Sequence, residues 1–379
     1  MDFRLTDEQK MFKNTVKEFA DKELAPIAIK VDKEHEFPWK TIKKAGKLGL
    51  MGMTVPEEYG GAGIDRISYM LALEEVSRVC GSHGLTIEAH NSLGIGHIYE
   101  KGTEEQRRKY IPKLTTGEAL AAWALTEPNA GSDAAGSQTT AVKEGDEWVL
   151  NGTKQFITSG SIADAVVVMA MTDKSKGARG ISAFVVEKGN PGMKYGVEED
   201  KLGLRGTVTT EMFFEDCRVP EENILGEPGE GFTGAMTILD RGRTAIGAMS
   251  VGIAQGALDK SIEYAKQREQ FGKPLAKFQA IQFMIADMAT EIEAARLLVH
   301  RAAYMEDQEQ FFSKEASMAK LFASEAGVRA AKNAIQIFGG QGYLRENEVE
   351  RYFRDVKLCT IGEGTSEVQR MVIAKRLGL

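Results

Sequence analysis

Apolar residues recur at helical spacing from the start of the chain. Thr6-Asp7-Glu8-Gln9 is a capping box, and Phe12, Val16, Phe19 and Ala20 then share one face of the helix it opens. The pattern predicts further helices over Trp39–Leu48, ending at Gly49, over Ile67–Val79 and over Leu85–Tyr99. Pro56–Gly63 reads as a loop. A second capping box, Thr103–Gln106, predicts a short helix ending near Pro112. Residues 1–118 therefore form an N-terminal helical section.

From 119 to 230 the period changes. Asn151-Gly152 stands between Glu147–Leu150 and Lys154–Ile157, the pattern of a tight hairpin. Ala165–Met171 is a wholly apolar run between polar flanks, as a buried strand requires; Ile181–Val186 and Glu211–Phe214 are further strands. Short strands of this kind suggest a barrel-like or sandwich-like domain. Residues 231–379 return to helix, with long amphipathic stretches over Phe232–Gln267, Phe278–Met305 and Lys314–Ile337, enough for a helical bundle. Gly339-Gly340-Gln341-Gly342 breaks the last of these, and a short helix follows Thr365. Helices, strands, then helices describe an α+β chain, not a doubly wound βαβ sheet.

The chain has 379 residues, 42% of them hydrophobic, which allows two or three domains with real cores and excludes wholesale disorder. The net charge, 48 − 55 = −7, leaves no global basic footprint for nucleic acid. Cys80, Cys217 and Cys359 are widely spaced and odd in number, which fits a reducing compartment. No apolar run approaches the roughly 18 residues of a membrane-spanning helix, and no basic-then-apolar leader opens the chain. A soluble cytoplasmic protein is expected.

Several motifs fail in context. Gly229-Glu230-Gly231-Phe232-Thr233-Gly234 spells GxGxxG, but prolines precede it and a long helical region follows, so a loop entering a helix is the better reading. His83, His90 and His97 are seven apart, not the three or four of helical metal pairs, and are expected on a helix surface; no metal site is expected. GxSxG, Walker A and HExxH motifs are absent.

Two segments survive. Ala124–Asp133 is a strand running into a Gly- and Ser-rich turn, which exposes N–H groups and hydroxyls but is also what a plain surface turn looks like. In Ile361–Arg370, Glu363 sits between two glycines just before a helix start. Such a carboxylate suits a general base, and equally a solvated acid favoured by the helix dipole.

Together, at this separation, the two segments resemble the acyl-CoA dehydrogenase family. The likeness extends over Val55–Gly61, Asn151–Lys154, Leu239–Arg243, Arg268–Gly272 and Gln336–Gly340, hence essentially the whole chain, and is strongest to short-chain, butyryl-CoA-type members. It implies an N-terminal helical domain, a middle β-barrel-like domain and a C-terminal four-helix bundle, with FAD between the last two. Trp123, Ala124, Leu125, Thr126, Glu127, Pro128, Asn129, Ala130, Gly131 and Ser132, with Phe156, Ile157 and Thr158, would contact the flavin and its ribityl chain. Arg268, Phe271, Gln279, Gln336, Ile337, Phe338, Gly339 and Gly340 would hold the pyrophosphate and adenosine, partly from a neighbouring subunit, and Thr365, Ser366 and Glu367 would also meet FAD. Ser132, Asp240, Arg243 and Gly364 would contact acyl-CoA, and Glu363 would be the catalytic base.

The implied reaction is α,β-dehydrogenation of a short-chain acyl-CoA, with tolerance of a branched acyl group expected, to the trans-2-enoyl-CoA. The resemblance also implies hydride transfer to flavin N5, electron-transfer flavoprotein as acceptor, a place in fatty-acid β-oxidation, and a homotetramer. Some members carry the base on the helix of Leu239–Arg243; the matching position here is Gly242, which cannot serve. The family usually has tyrosine before the glutamate, where this chain has Gly362. An oxygen-using acyl-CoA oxidase and a non-catalytic helical binding protein of the same fold are the rival readings.

Overall fold

The computed structural model describes residues 4–379. Seven helices open the chain: α1 (Asp7–Phe19), α2 (Ala28–Glu34), α3 (Trp39–Lys47), α4 (Arg66–Val79), α5 (Gly81–Glu88), α6 (Gly96–Lys101) and α7 (Glu104–Leu114). Both capping boxes form: Thr6 Oγ1 accepts from the Gln9 N–H at 3.2 Å, and Thr103 Oγ1 accepts from the Gln106 N–H at 3.3 Å. α7 ends at Leu114, near Pro112 as predicted, with buried Ile111 and Leu114 anchoring the turn that holds the proline. A π-helical stretch, Ala89–Ile95, joins α5 to α6.

Eight strands follow: β1 (Ala121–Ala124), β2 (Thr140–Glu144), β3 (Glu147–Thr158), β4 (Ala165–Met171), β5 (Ile181–Glu187), β6 (Met193–Glu198), β7 (Thr209–Pro220) and β8 (Ile224–Leu225). They form one sheet in the order β6-β7-β3-β2-β4-β5-β8, with β1 paired parallel to β4. The sheet curls far enough for Trp148 of β3 to meet Phe184 of β5, with ring centroids 5.5 Å apart. Every residue of β4 is buried, as its unbroken apolar run predicts.

The Asn151-Gly152 hairpin is not there. β3 passes straight through, with a register shift between Leu150 and Gly152 against β7. The actual hairpin joins β2 to β3 through Gly145-Asp146, where Glu144 pairs with Glu147 and Gly145 takes φ +64°. Asn151 instead exchanges hydrogen bonds with Asp216 across the bulge: its Oδ1 accepts from the Asp216 N–H at 2.9 Å.

The bundle is α8 (Gly231–Gln267), a small hairpin of β9 (Glu269–Gln270) and β10 (Lys273–Pro274), then α9 (Gln279–Asp307), α10 (Ser313–Phe338), α11 (Val349–Leu358) and α12 (Ser366–Arg376). The GxGxxG segment is indeed a loop entering α8. α8 packs on α4, α9, α10 and α11, so one core joins the N-terminal helices to the bundle. A second core, including Ile95, Ile111, Val167 and Leu239, joins N-terminal helices, sheet and α8.

One buried ion pair fixes the loop after β1. Lys154, fully buried, donates to Glu127 Oε1 at 2.7 Å and to the Leu125 carbonyl at 3.0 Å. Glu127 also accepts from the N–H groups of Gln138 (2.6 Å) and Thr139 (3.0 Å). Burial raises the Glu127 carboxyl, but Lys154 and these donors outweigh it and leave it below its usual range. Removing one partner strands the other charge away from water. Lys154→Met should therefore cost about 3–5 kcal/mol, read as a lowered midpoint in chemical denaturation; a midpoint within error of wild type would show that the pair is not structural.

Candidate active site

Glu363 lies in the tight turn between α11 and α12, at φ +54°, followed by Gly364 at φ +96°. A non-glycine residue in the left-handed region costs energy and persists only where its surroundings impose it. The surroundings here are donors aimed at the turn's carbonyls. Lys320, fully buried on α10, donates to the Gly364 carbonyl at 2.6 Å. Gln369 Nε2 donates to the carbonyls of Gly364 (2.9 Å) and Glu363 (3.2 Å), and Arg243 Nε reaches the latter at 3.5 Å. With the carbonyls turned inward, the Glu363 N–H has no acceptor among the described residues.

The carboxylate faces α8 where that helix has no side chain. A Cβ at Gly242 would stand 1.9 Å from Glu363 Oε2. That oxygen is buried without a hydrogen-bond donor. Burial pushes the Glu363 carboxyl up to about 7, against opposing pulls from Glu88, Lys320 and Arg243. The turn thus presents a carboxyl of near-neutral affinity for protons, suited to proton abstraction.

The β-domain supplies a second surface. The Gln155 N–H donates to the Thr126 carbonyl at 2.8 Å, laying β3 beside the end of β1. Phe156 sits in the register shift between Lys154 and Ile157 at φ +59°, and its ring is 60% exposed. Trp123, Thr126 and Thr158 are partly exposed. Among the other expected contacts, the side chains of Ala124, Leu125, Ala130 and Ile157 are buried, and Glu127 is paired with Lys154. Pro128, Asn129, Gly131 and Ser132 form an exposed loop.

The three histidines are not on a helix surface. His83, His90 and His97 are all buried, and burial lowers His83 and His97 to about 3 and His90 to about 4, so each is neutral. Each binds a neighbouring segment rather than solvent. His90 Nε2 donates to the Leu114 carbonyl at 3.1 Å and Nδ1 accepts from the Ala121 N–H at 3.0 Å. His97 Nδ1 accepts from the Trp123 indole at 3.0 Å, and His83 contacts Thr41 at 2.7 Å. The π-helical stretch and the two helices around it wrap the histidines inside the N-terminal domain, a tertiary outcome that spacing does not reveal.

The remaining expected residues lie at the other end of the bundle. Arg268, Phe271 and Gln279 are exposed around the β9–β10 hairpin, Phe271 at φ +53°. Gln336, Gly339 and Gly340 are exposed, while Ile337 and Phe338 are buried, Phe338 stacked on Tyr264 of α8 at 4.0 Å. The 25 residues from Gly242 to Gln267 (267 − 242) cover ~38 Å at 1.5 Å per residue. One chain therefore does not bring this group to Glu363.

Family models for the N-terminal, middle and C-terminal domains of acyl-CoA dehydrogenase match residues 6–118, 122–217 and 229–378. The chain belongs to the acyl-CoA dehydrogenase family. It is 54% identical to a probable acyl-CoA dehydrogenase of Bacillus subtilis over 378 residues, covering 100% of both chains. The solved butyryl-CoA dehydrogenase of Megasphaera elsdenii superposes with a TM-score of 0.98 at 46% identity, covering 100% of each chain. A chain solved in work on the electron transferring flavoprotein of Acidaminococcus fermentans superposes with a TM-score of 0.98 at 51% identity, covering 100% of this chain and 99% of that one.

In this acyl-CoA dehydrogenase, Asp240, Arg243 and Gly364 gather around the Glu363 turn. Arg243 pairs with Asp240 at 2.6 Å, and Ser313 Oγ donates to Asp240 at 3.1 Å. Thr365 caps α12 by accepting from the Val368 N–H at 3.3 Å, Ser366 Oγ is buried without a partner, and Glu367 is exposed. Sequence reasoning missed Lys320, Gln369, His97 and Glu88. A lone lysine in the Ala- and Ser-rich stretch Ala316–Ser324, and a lone glutamate in Leu85–Ala89, were the available signals.

Gly242→Ala tests the fit between α8 and the Glu363 carboxylate. Alanine favours helix, so the fold should hold, while its methyl displaces the carboxylate. Turnover should fall more than tenfold with flavin content unchanged; wild-type turnover would show that the carboxylate does not rest against Gly242.

Proposed function

We propose that this protein oxidises a short-chain acyl-CoA to its trans-2-enoyl-CoA with FAD, and passes the electrons to electron-transfer flavoprotein. The observation that carries the reading is a carboxyl raised to about 7 by burial, held in a left-handed turn against a glycine of α8. The likeness to a butyryl-CoA dehydrogenase supports the short chain, and the likeness to the chain solved with the Acidaminococcus flavoprotein in view supports the acceptor.

The residues present fit FAD. Ser366 offers an orphaned buried hydroxyl at the positive end of α12, and Phe156, Thr126 and Thr158 offer an exposed ring beside hydroxyls. Bound FAD supplies the two-electron oxidant that accepts the β-hydrogen as hydride. Glu363 takes the α-proton. Its own N–H donates to the thioester oxygen, where charge gathers as the proton leaves, and such a preorganised donor is worth most away from water. Asp240 and Arg243, with Ser132 and Gly364, position the acyl-CoA. Arg268, Phe271, Gln279 and the Gln336–Gly340 turn hold the adenosine end of FAD bound in a neighbouring copy, which is why an oligomer, a homotetramer, is required. The working units are residues 1–118, 119–230 and 231–379. The setting is the cytoplasm, where three buried free thiols stay reduced. No helix among the described residues is long and apolar enough to cross a membrane.

Glu363→Gln should lower kcat by several orders of magnitude and leave a yellow, FAD-loaded protein. In wild type, kcat/KM should fall as pH drops below about 7, because the base is then protonated. Near-normal turnover by the Gln variant would remove Glu363 from the chemistry.

Gly362 shapes substrate choice. A Cβ there meets only Leu358, at 3.7 Å or more, so the backbone accepts a side chain and glycine is not a steric necessity. The volume a ring would fill is left to the acyl group, which favours α-branched chains. Gly362→Tyr should cut kcat/KM for 2-methylbutyryl-CoA roughly tenfold relative to butyryl-CoA, the scale of a methylene misfit; equal effects on both would refute the role.

A further inference from the structure

A second carboxyl stands behind Glu363. Glu88, at the C-terminus of α5, is fully buried, and the π-helical stretch begins at the next residue. π-helical turns inside α-helices concentrate at functional sites. The carboxyls of Glu88 and Glu363 are neighbours and act directly on one another. Yet each carboxyl keeps one buried oxygen that no donor reaches, Oε2 in both cases. Two carboxylates contain only acceptors, so a bond between them needs a proton on one.

On its other side the Glu88 carboxyl has at most one donor, the shared hydroxyl of Ser92. Ser92 Oγ lies 2.9 Å from the Glu88 main-chain carbonyl and also contacts Glu88 Oε1 closely. A hydroxyl has a single hydrogen and cannot donate to both. The remaining titratable or charged groups facing the pair are Arg243 from α8, Lys320 from α10, Tyr69 from α4 and Cys359 at the end of α11. The cations act on Glu363. Burial and the neighbouring Glu363 carboxyl push Glu88 well above the usual carboxylate range.

We propose that Glu88 stays protonated at neutral pH and donates its hydrogen to Glu363, so that the base works as one half of a carboxyl pair. The inference rests on Glu363 being the base. Glu88 is a positioning residue: it touches the catalytic carboxylate and not the reacting carbons. Its hydrogen bond stabilises ionised Glu363 and offsets part of the burial that would otherwise leave the base protonated. The two groups then titrate as a pair.

The test is the acid limb of the kcat/KM profile on butyryl-CoA, measured on FAD-loaded enzyme. Glu88→Ala removes the donor and should move the limb up by about one pH unit. Glu88→Gln keeps an N–H donor of similar size and should leave the limb near its wild-type position. An unmoved limb in Glu88→Ala overturns the proposal, and so does a downward shift, which would mean that Glu88 is an anion repelling the base. Infrared difference spectra decide the matter without turnover and without the alanine variant. A protonated-carboxyl band at neutral pH that vanishes in Glu88→Gln supports the pair, and its absence from wild type refutes it. Failure of the base assignment itself shows separately, as normal turnover by Glu363→Gln.

Discussion

A carboxyl group taken out of water must be compensated or it stays protonated. The structure turns on how Glu363 is compensated only in part. Its neighbours spend their donors on the turn's main-chain carbonyls: Lys320 and Gln369 on Gly364, Gln369 and Arg243 on Glu363. The backbone is locked while the carboxylate keeps a buried oxygen without a donor. That division holds the group in place without suppressing its basicity. Had the same donors reached the carboxylate, its proton affinity would have fallen below the useful range.

Strain marks the places where this arrangement meets the rest of the site. Glu363, Phe156 and Phe271 all adopt positive φ without being glycine. Phe156 is turned outward by a register shift in β3, and Phe271 stands at the tip of a two-strand hairpin. In each case a stable element imposes the conformation: α11 and α12, the sheet, and the end of α8. α8 is the common reference. Its start docks on β5, its middle faces Glu363 at Gly242, and its end stacks on the α10 terminus through Tyr264 and Phe338. A single long helix sets the distance between Glu363 and the distal residue group.

Buried polar residues tie the N-terminal helices to this frame. His90 clamps Leu114 to Ala121, and His97 holds the indole of Trp123. Lys154 and Glu127 secure the loop between them and the exposed Gly-Ser turn. These contacts join segments far apart in sequence, which is why several of them escaped a reading based on local spacing. Buried polar groups need partners, and the partners come from whichever segment the tertiary fold brings near.

The sequence by itself determined the α+β order of helices, strands and helices, because apolar period and capping chemistry are local properties. It also carried the two segments, Ala124–Asp133 and Ile361–Arg370, whose joint resemblance to the family pointed to Glu363. Only the tertiary structure decided whether Asn151-Gly152 would turn or continue. Pairing with β7 along its length outweighed the local turn preference and made it a bulge. Burial likewise overrode the expected exposure of the three histidines. Side-chain exposure and proton affinity depend on what lies on the far side of a residue, and one-dimensional spacing contains no information about that side.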